Sequence, residues 1–134
     1  MQHVINALEP IFLKYGRTIK PASDISLRSF ELKASAIGVP EDVIDQLVSL
    51  YSLVDEVPCL DSLVLHSCND SIIFEWWENA ELWLGSRDYY ILRWSAEKVR
   101  FCVGDASDAS FGENVEFKYI ADAVVYLANV YSDY

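Results

Sequence analysis

Positively charged residues are scarce: 10 Lys and Arg face 21 Asp and Glu, which leaves the 134-residue chain with a formal net charge of -11. A surface of that sign repels phosphate backbones, whose capture needs clustered Lys and Arg, and it is repelled equally by an anionic membrane leaflet. Nucleic acid and membrane are therefore set aside as expected partners. Cysteine is sparse as well. Cys59, Cys68 and Cys102 form an odd count without framework spacing, which fits three buried thiols in a reducing compartment such as the cytoplasm better than a secreted disulfide scaffold. The five glycines stand singly, so no Gly-rich loop cradles a phosphate and most nucleotide-dependent chemistry drops out. No apolar run approaches the roughly 20 residues of a membrane span. The segment from Met1 to Pro10 has no basic stretch ahead of its apolar residues, which Asn6 and Glu9 interrupt, so it does not read as a secretory signal.

What the chain has in plenty is apolar and aromatic material. Hydrophobic residues make up 52% of it, with 4 Trp, 8 Tyr and 6 Phe among them. That supplies one core, and at this length folding withdraws roughly two thirds of the chain's surface from water. A single domain covering residues 1–134 is expected.

The first third reads as helical. Val4, Ile5, Leu8, Ile11, Phe12 and Tyr15 recur at spacings of three and four and close at Gly16, although Pro10 disfavours the first half of that helix. Ser26 or Ser29 is placed to cap a second helix through Leu27, Phe30, Leu32 and Ala36, ending at Gly38. A third starts at Pro40, with Glu41 and Asp42 at the positive end of its dipole and a broad stripe of Val43, Ile44, Leu47, Val48, Leu50, Tyr51 and Val54.

From Leu60 the apolar period changes to alternation, and turn signals recur as in an antiparallel meander. Strands are predicted near Ser62–His66, Ser71–Trp77, Glu81–Gly85, Tyr89–Ser95 and Lys98–Gly104, with Glu78-Asn79-Ala80 and Ser95-Ala96-Glu97 as hairpin connections. Alternation puts Ile72, Phe74, Trp76, Leu82, Leu84, Tyr90, Leu92, Trp94, Val99, Phe101 and Val103 on a core face. The other face receives Glu75, Trp77, Glu81, Trp83, Tyr89, Arg93 and Arg100, a mixture of charges and large rings unusual for a face that only meets water. After a polar loop from Asp105 to Asn114 that contains Phe111, the positions Phe117, Ile120, Ala123, Val124, Leu127 and Tyr131 predict a closing amphipathic helix.

The reactive residues do not assemble into a familiar chemistry. Zinc wants four ligands in paired short spacings, whereas of His66, Cys68 and Cys59 only His66 and Cys68 are closely spaced, and the other histidine, His3, lies in a terminal helix. Carboxylate pairs for glycoside hydrolysis can be drawn from Glu75, Glu78, Glu81, Asp88, Asp105 and Asp108, yet 21 acids in so short a chain produce such pairs by chance. Nothing around the cysteines resembles the turn that activates a nucleophile. Asp105-Ala106-Ser107-Asp108 lacks the remaining ligand spacing and the closing glutamate of a calcium loop. No metal or cofactor is expected. The conspicuous feature is the stretch from Glu75 to Gly85, which interleaves Trp76, Trp77 and Trp83 with Glu75, Glu78 and Glu81. Tryptophan is enriched where interfaces concentrate their energy; the competing reading is a wide sheet whose second face is covered by the chain's own helices.

Gly38-Val39-Pro40-Glu41 leading into the Leu47–Tyr51 helix, the turn ending Val57-Pro58-Cys59-Leu60, the Trp-rich sheet, Gly104-Asp105-Ala106 and the closing Phe117–Leu127 helix resemble the SUKH superfamily, over roughly Ile37 to Tyr131. That superfamily takes in bacterial immunity proteins of polymorphic toxin systems and a fungal regulator of cell-wall glucan synthesis. This chain departs from it at Asp55-Glu56, where members commonly carry Asn-Gly. The resemblance implies a binding module, in bacteria one that neutralises a cognate toxin, often a nuclease. A toxin that grips nucleic acid needs a basic surface, and an acidic domain with an aromatic patch is suited to cover it, with charge setting the encounter rate and rings slowing dissociation.

The expected fold is thus α+β, with N-terminal helices, a mainly antiparallel twisted sheet of about five or six strands and a C-terminal helix packed on it. The expected contact set is Trp77, Glu78, Glu81, Trp83, Asp88, Asp105 and Asp108. The expected function is protein binding without catalysis, most concretely toxin neutralisation. A regulatory scaffold of cell-wall synthesis or signalling and a polysaccharide hydrolase working through paired carboxylates are the alternatives.

Overall fold

The computed structural model describes residues 1–105 and 114–130. Three helices come first: α1 (Gln2–Lys14), α2 (Asp24–Ala36) and α3 (Glu41–Tyr51). A six-stranded sheet follows, made of β1 (Val57–Leu60), β2 (Leu63–Leu65), β3 (Glu81–Arg87), β4 (Tyr90–Ser95), β5 (Arg100–Asp105) and β6 (Val115–Phe117), and α4 (Ile120–Asn129) closes the described chain. The strands lie side by side in chain order, each antiparallel to its neighbour. The fold is α+β, with the helical N-terminus, antiparallel sheet and C-terminal helix that the periodicities predict.

Each helix buries one stripe. Val4, Leu8, Ile11 and Phe12 of α1 are buried, and the helix continues through Pro10. The proline removes the partner of the Asn6 carbonyl, but both residues are exposed and water can serve that oxygen. The cap of α2 is Ser23, whose hydroxyl accepts the Ser26 N–H at 3.2 Å, so the helix starts earlier than a cap at Ser26 or Ser29 allows. Its weak stripe buries only Phe30 and Ala34 and leaves Leu32 exposed. In α3 the acidic Glu41 and Asp42 occupy the first turn, and Val43, Ile44, Leu47, Leu50 and Tyr51 are buried.

The sheet's inner face carries Leu63, Leu65, Leu82, Leu92, Trp94, Phe101 and Val103, which join the buried helical residues in one apolar cluster. One inward prediction fails there: Val99 is exposed, whereas Tyr90, although half-buried, packs against the core. Two strands escape prediction. Val57–Leu60 reads as a turn but pairs with β2, and Pro58 is tolerated because β1 is an edge. Phe117 reads as the start of the last helix but belongs to β6; α4 begins at Ile120, whose N–H donates to Gln46 Oε1 at 2.8 Å.

The largest departure is Ser71–Trp77, which is not a strand. It forms two 3₁₀ turns, Ser71–Phe74 and Trp77–Asn79. Asp70 starts the first by accepting the Ile72 N–H at 3.1 Å, and Ala80 ends the second in the left-handed region, φ 60. Side chains no longer alternate along such a path, and Ile73, not Ile72, becomes the fully buried residue.

Val99 closes the four-residue turn between β4 and β5 with φ 54 while 60% exposed. A β-branched residue is costly in that region, and glycine is not. Val99→Gly is expected to raise stability by about 1 kcal/mol, read as a higher midpoint in urea; a lower midpoint would mean that Val99 makes a stabilising contact.

Candidate protein-binding face

The helices occupy the inner face, so the outer face of the sheet is where the expected contact set has to be found. Register places Trp83 opposite Arg93, Arg93 opposite Cys102, and Cys102 opposite Glu116 in one row across four strands. Arg93 is only 5% exposed. It is held by an ion pair from its Nε to the Glu81 carboxylate and by a hydrogen bond donated to Asn114 Oδ1 at 3.2 Å. Buried guanidinium groups are stable only when so engaged. The pair therefore fixes Glu81 beside Trp83, leaving 23% of the Glu81 side chain exposed.

The two 3₁₀ turns decide which tryptophans are available. Trp76 comes out over the sheet and stacks on Trp83, with ring centroids 4.8 Å apart and planes 20° from parallel. At 41% exposure it is the most open of the four indoles. Trp77 turns inward, packs on the core, stacks near Trp94 at 6.3 Å and donates its Nε1–H to the Ile37 carbonyl at 2.9 Å. The two neighbours thus exchange the faces that alternation assigns them. Glu75 and Glu78 flank this segment and are exposed.

The remaining expected contacts lie elsewhere. Asp88 is exposed in the two-residue turn between β3 and β4, and Asp105 ends β5 opposite Tyr90 on the adjoining strand. Both belong to the end of the sheet remote from Glu81, about 20 Å away by strand rise over the length of β3. Asp108 lies outside the described residues. Of the expected set, Glu81 and Trp83 thus share the outer face, with Trp76 stacked on Trp83; Glu78 is exposed in the preceding turn, and Trp77 is turned inward. The signal for Trp76 was the tandem Trp76-Trp77 itself: with Trp77 anchored inside, its neighbour had little room to follow.

At that remote end Asp61 holds α1 to the β1–β2 turn. Its carboxylate accepts from the Tyr15 hydroxyl at 2.6 Å and from Lys14 Nζ at 2.9 Å. The Tyr15 hydrogen bond first, then that from Lys14, pulls the Asp61 carboxyl below its ordinary 3.8, while Tyr15 and Lys14 are both raised, each chiefly by its hydrogen bond to Asp61. A carboxyl lowered by folding contributes stability above its unfolded pKa and loses it as pH falls through the folded value; a raised phenol or amine contributes below its unfolded pKa and loses it as pH rises. Asp61→Asn is expected to lower the melting temperature by a constant amount between about pH 5 and 9, with the gap to wild type closing toward pH 3 and above pH 10. Scanning calorimetry across that range checks it, and a gap independent of pH would contradict the assignment.

Of the three free thiols, Cys68 and Cys102 are buried, but Cys59 is exposed on edge strand β1, against expectation. Burial pushes the Cys68 thiol up to about 12, with the Asp55 charge adding to the shift, and burial also raises Cys102. Neither of these two is held as a thiolate at neutral pH. No helix among the described residues is long and apolar enough to cross a membrane. No protein-family model matches the chain, and no curated protein matches it.

Proposed function

We propose that this chain is a non-catalytic module that binds a basic partner protein through the outer sheet face around Trp76 and Trp83, and that the partner is a toxin domain which the chain neutralises in the cytoplasm. The observation that carries the binding reading is the stacked indole pair standing on a sheet face beside Glu81, with the exposed Glu75 and Glu78 flanking Trp76 and Trp77 in the chain. An exposed ring already fixed by a second ring loses little freedom on contact, and such rings supply most of an interface's energy. The charge of -11 adds long-range attraction for a basic surface. The toxin assignment is supported by the SUKH resemblance alone.

The test is affinity capture from the native cell with the full-length chain as bait, followed by binding kinetics with the recovered partner. Trp83→Ala is expected to weaken the complex by about 2 kcal/mol, some thirtyfold in Kd, mainly through faster dissociation. Glu75→Gln with Glu78→Gln is expected to slow association several-fold at low salt and to leave dissociation unchanged. A partner bound equally well by wild type and Trp83→Ala contradicts the proposal.

A further inference from the structure

We infer that the group received by the exposed Trp76 ring is an arginine side chain of the partner, its guanidinium laid flat on the indole and paired with the carboxylate of Glu75 or Glu78. This rests on the protein-binding reading above and names what that face recognises. The Trp76 ring is open to solvent on a stack already set by Trp83, so a planar cation meets a fixed surface. Tryptophan is the aromatic ring that attracts cations most strongly. Glu75 and Glu78, both exposed in the same segment, supply the counter-charge. A guanidinium suits this combination better than an ammonium: it is planar, weakly hydrated, and stacks on a ring while donating in its own plane to a carboxylate. Arg93 stands directly opposite Trp83 in the sheet and ion-pairs with Glu81, so the same three residue types meet on the same face.

The experiment uses the full-length chain and two Gly-Ser peptides of equal length, one carrying three arginines and the other three lysines, at near-physiological salt. Indole N–H resonances report which of the 4 tryptophans responds. The arginine peptide is expected to shift the Trp76 and Trp83 signals and to bind about tenfold more tightly than the lysine peptide. Trp76→Ala should erase that preference and Trp76→Phe should keep part of it, in variants whose unfolding midpoints show that they fold. Equal binding of the two peptides, or a preference that survives in Trp76→Ala, overturns the inference. So does a soluble glucan that shifts the same two resonances while the arginine peptide does not. If a captured partner still depends on Trp83 but the peptides bind equally, the arginine assignment fails and the binding reading stands; if capture is also indifferent to Trp83, both fail.

Discussion

Gly85→Ala is expected to lower stability by about 3 kcal/mol or more, which for a chain of this size means a melting temperature lower by roughly 10 °C. A Cβ at this position would run into the backbone carbonyl oxygen of Val64 and lie 3.0 Å from Leu65 Cδ2 and 3.3 Å from Leu65 Cα. The first of these obstacles is main chain of the paired strand, so no rotamer change relieves it. The only escape is to separate β2 from β3, and β2 has just three residues with which to hold the pairing. The position matters for the binding face because β3 has an irregularity between Trp83 and Gly85, where Leu84 is the extra residue. Upstream of it Trp83 points outward. Downstream the alternation is reset, and Arg87, which a regular strand would place on the outer face beside Trp83, goes to the inner side. Gly38→Ala is the control: nothing lies within 4 Å of a Cβ there and only the positive φ of 95° opposes it, so about 1 kcal/mol is expected. Equal losses at the two glycines, measured by urea unfolding, would show that the close approach of β2 and β3 carries no cost.

Arg87→Met is expected to cost about 3 kcal/mol, the upper range for removing charge-assisted hydrogen bonds in a buried setting. Arg87 is only 6% exposed. Its Nη1 donates to the carbonyls of Leu127 at 3.2 Å and Ala128 at 2.6 Å, and its Nε donates to the Asp61 carbonyl at 3.1 Å. The last carbonyls of a helix have no intrahelical donor and carry the negative end of its dipole, so a cation there satisfies both needs. Arg87 thereby ties the C-terminus of α4 to the β1–β2 turn across the end of β3. Methionine matches the length but takes this donor from the Ala128 and Asp61 oxygens and leaves Leu127 only the long bond from the Val130 N–H at 3.5 Å. Arg87→Lys is expected to recover less than half of the loss, because one ammonium cannot reproduce the guanidinium fork. Full recovery by lysine would mean that charge alone, without the directed hydrogen bonds, holds the helix end.

Arg87 and Trp76 mark the boundary of what the residues reveal on their own. Periodic stripes such as Val43, Ile44, Leu47 and Leu50 in α3, or Leu92 and Trp94 in β4, were legible because burial on a single face leaves a repeat in the sequence. The path from Ser71 to Asn79 was not legible in the same way. Ile72, Phe74 and Trp76 alternate as a strand would, and the local competitor, an Asp70 cap that begins a 3₁₀ turn, is a single hydrogen bond. That one local choice exchanges Trp76 for Trp77 on the outer face. The reset at Leu84 likewise left Arg87 unassigned, since one extra residue reverses every facing that follows. Short edge strands such as Val115–Phe117 carry too few residues for a period to show. Glu81 and Trp83 keep the outer facing that alternation assigns them because they precede the irregularity, and Asp88 and Asp105 were grouped with them only because sequence proximity hides the length of a strand.

The most direct measurement of the central claim is oxidative footprinting of the tryptophans, in the free chain and in complex with its captured partner. The account predicts that Trp76, the most exposed indole, is oxidised fastest in the free chain and becomes protected together with Trp83 on binding, while Trp94, at 3% exposure, reacts slowly in both states. Undiminished oxidation of Trp76 within a stable complex would place the contact elsewhere on the molecule and contradict the account.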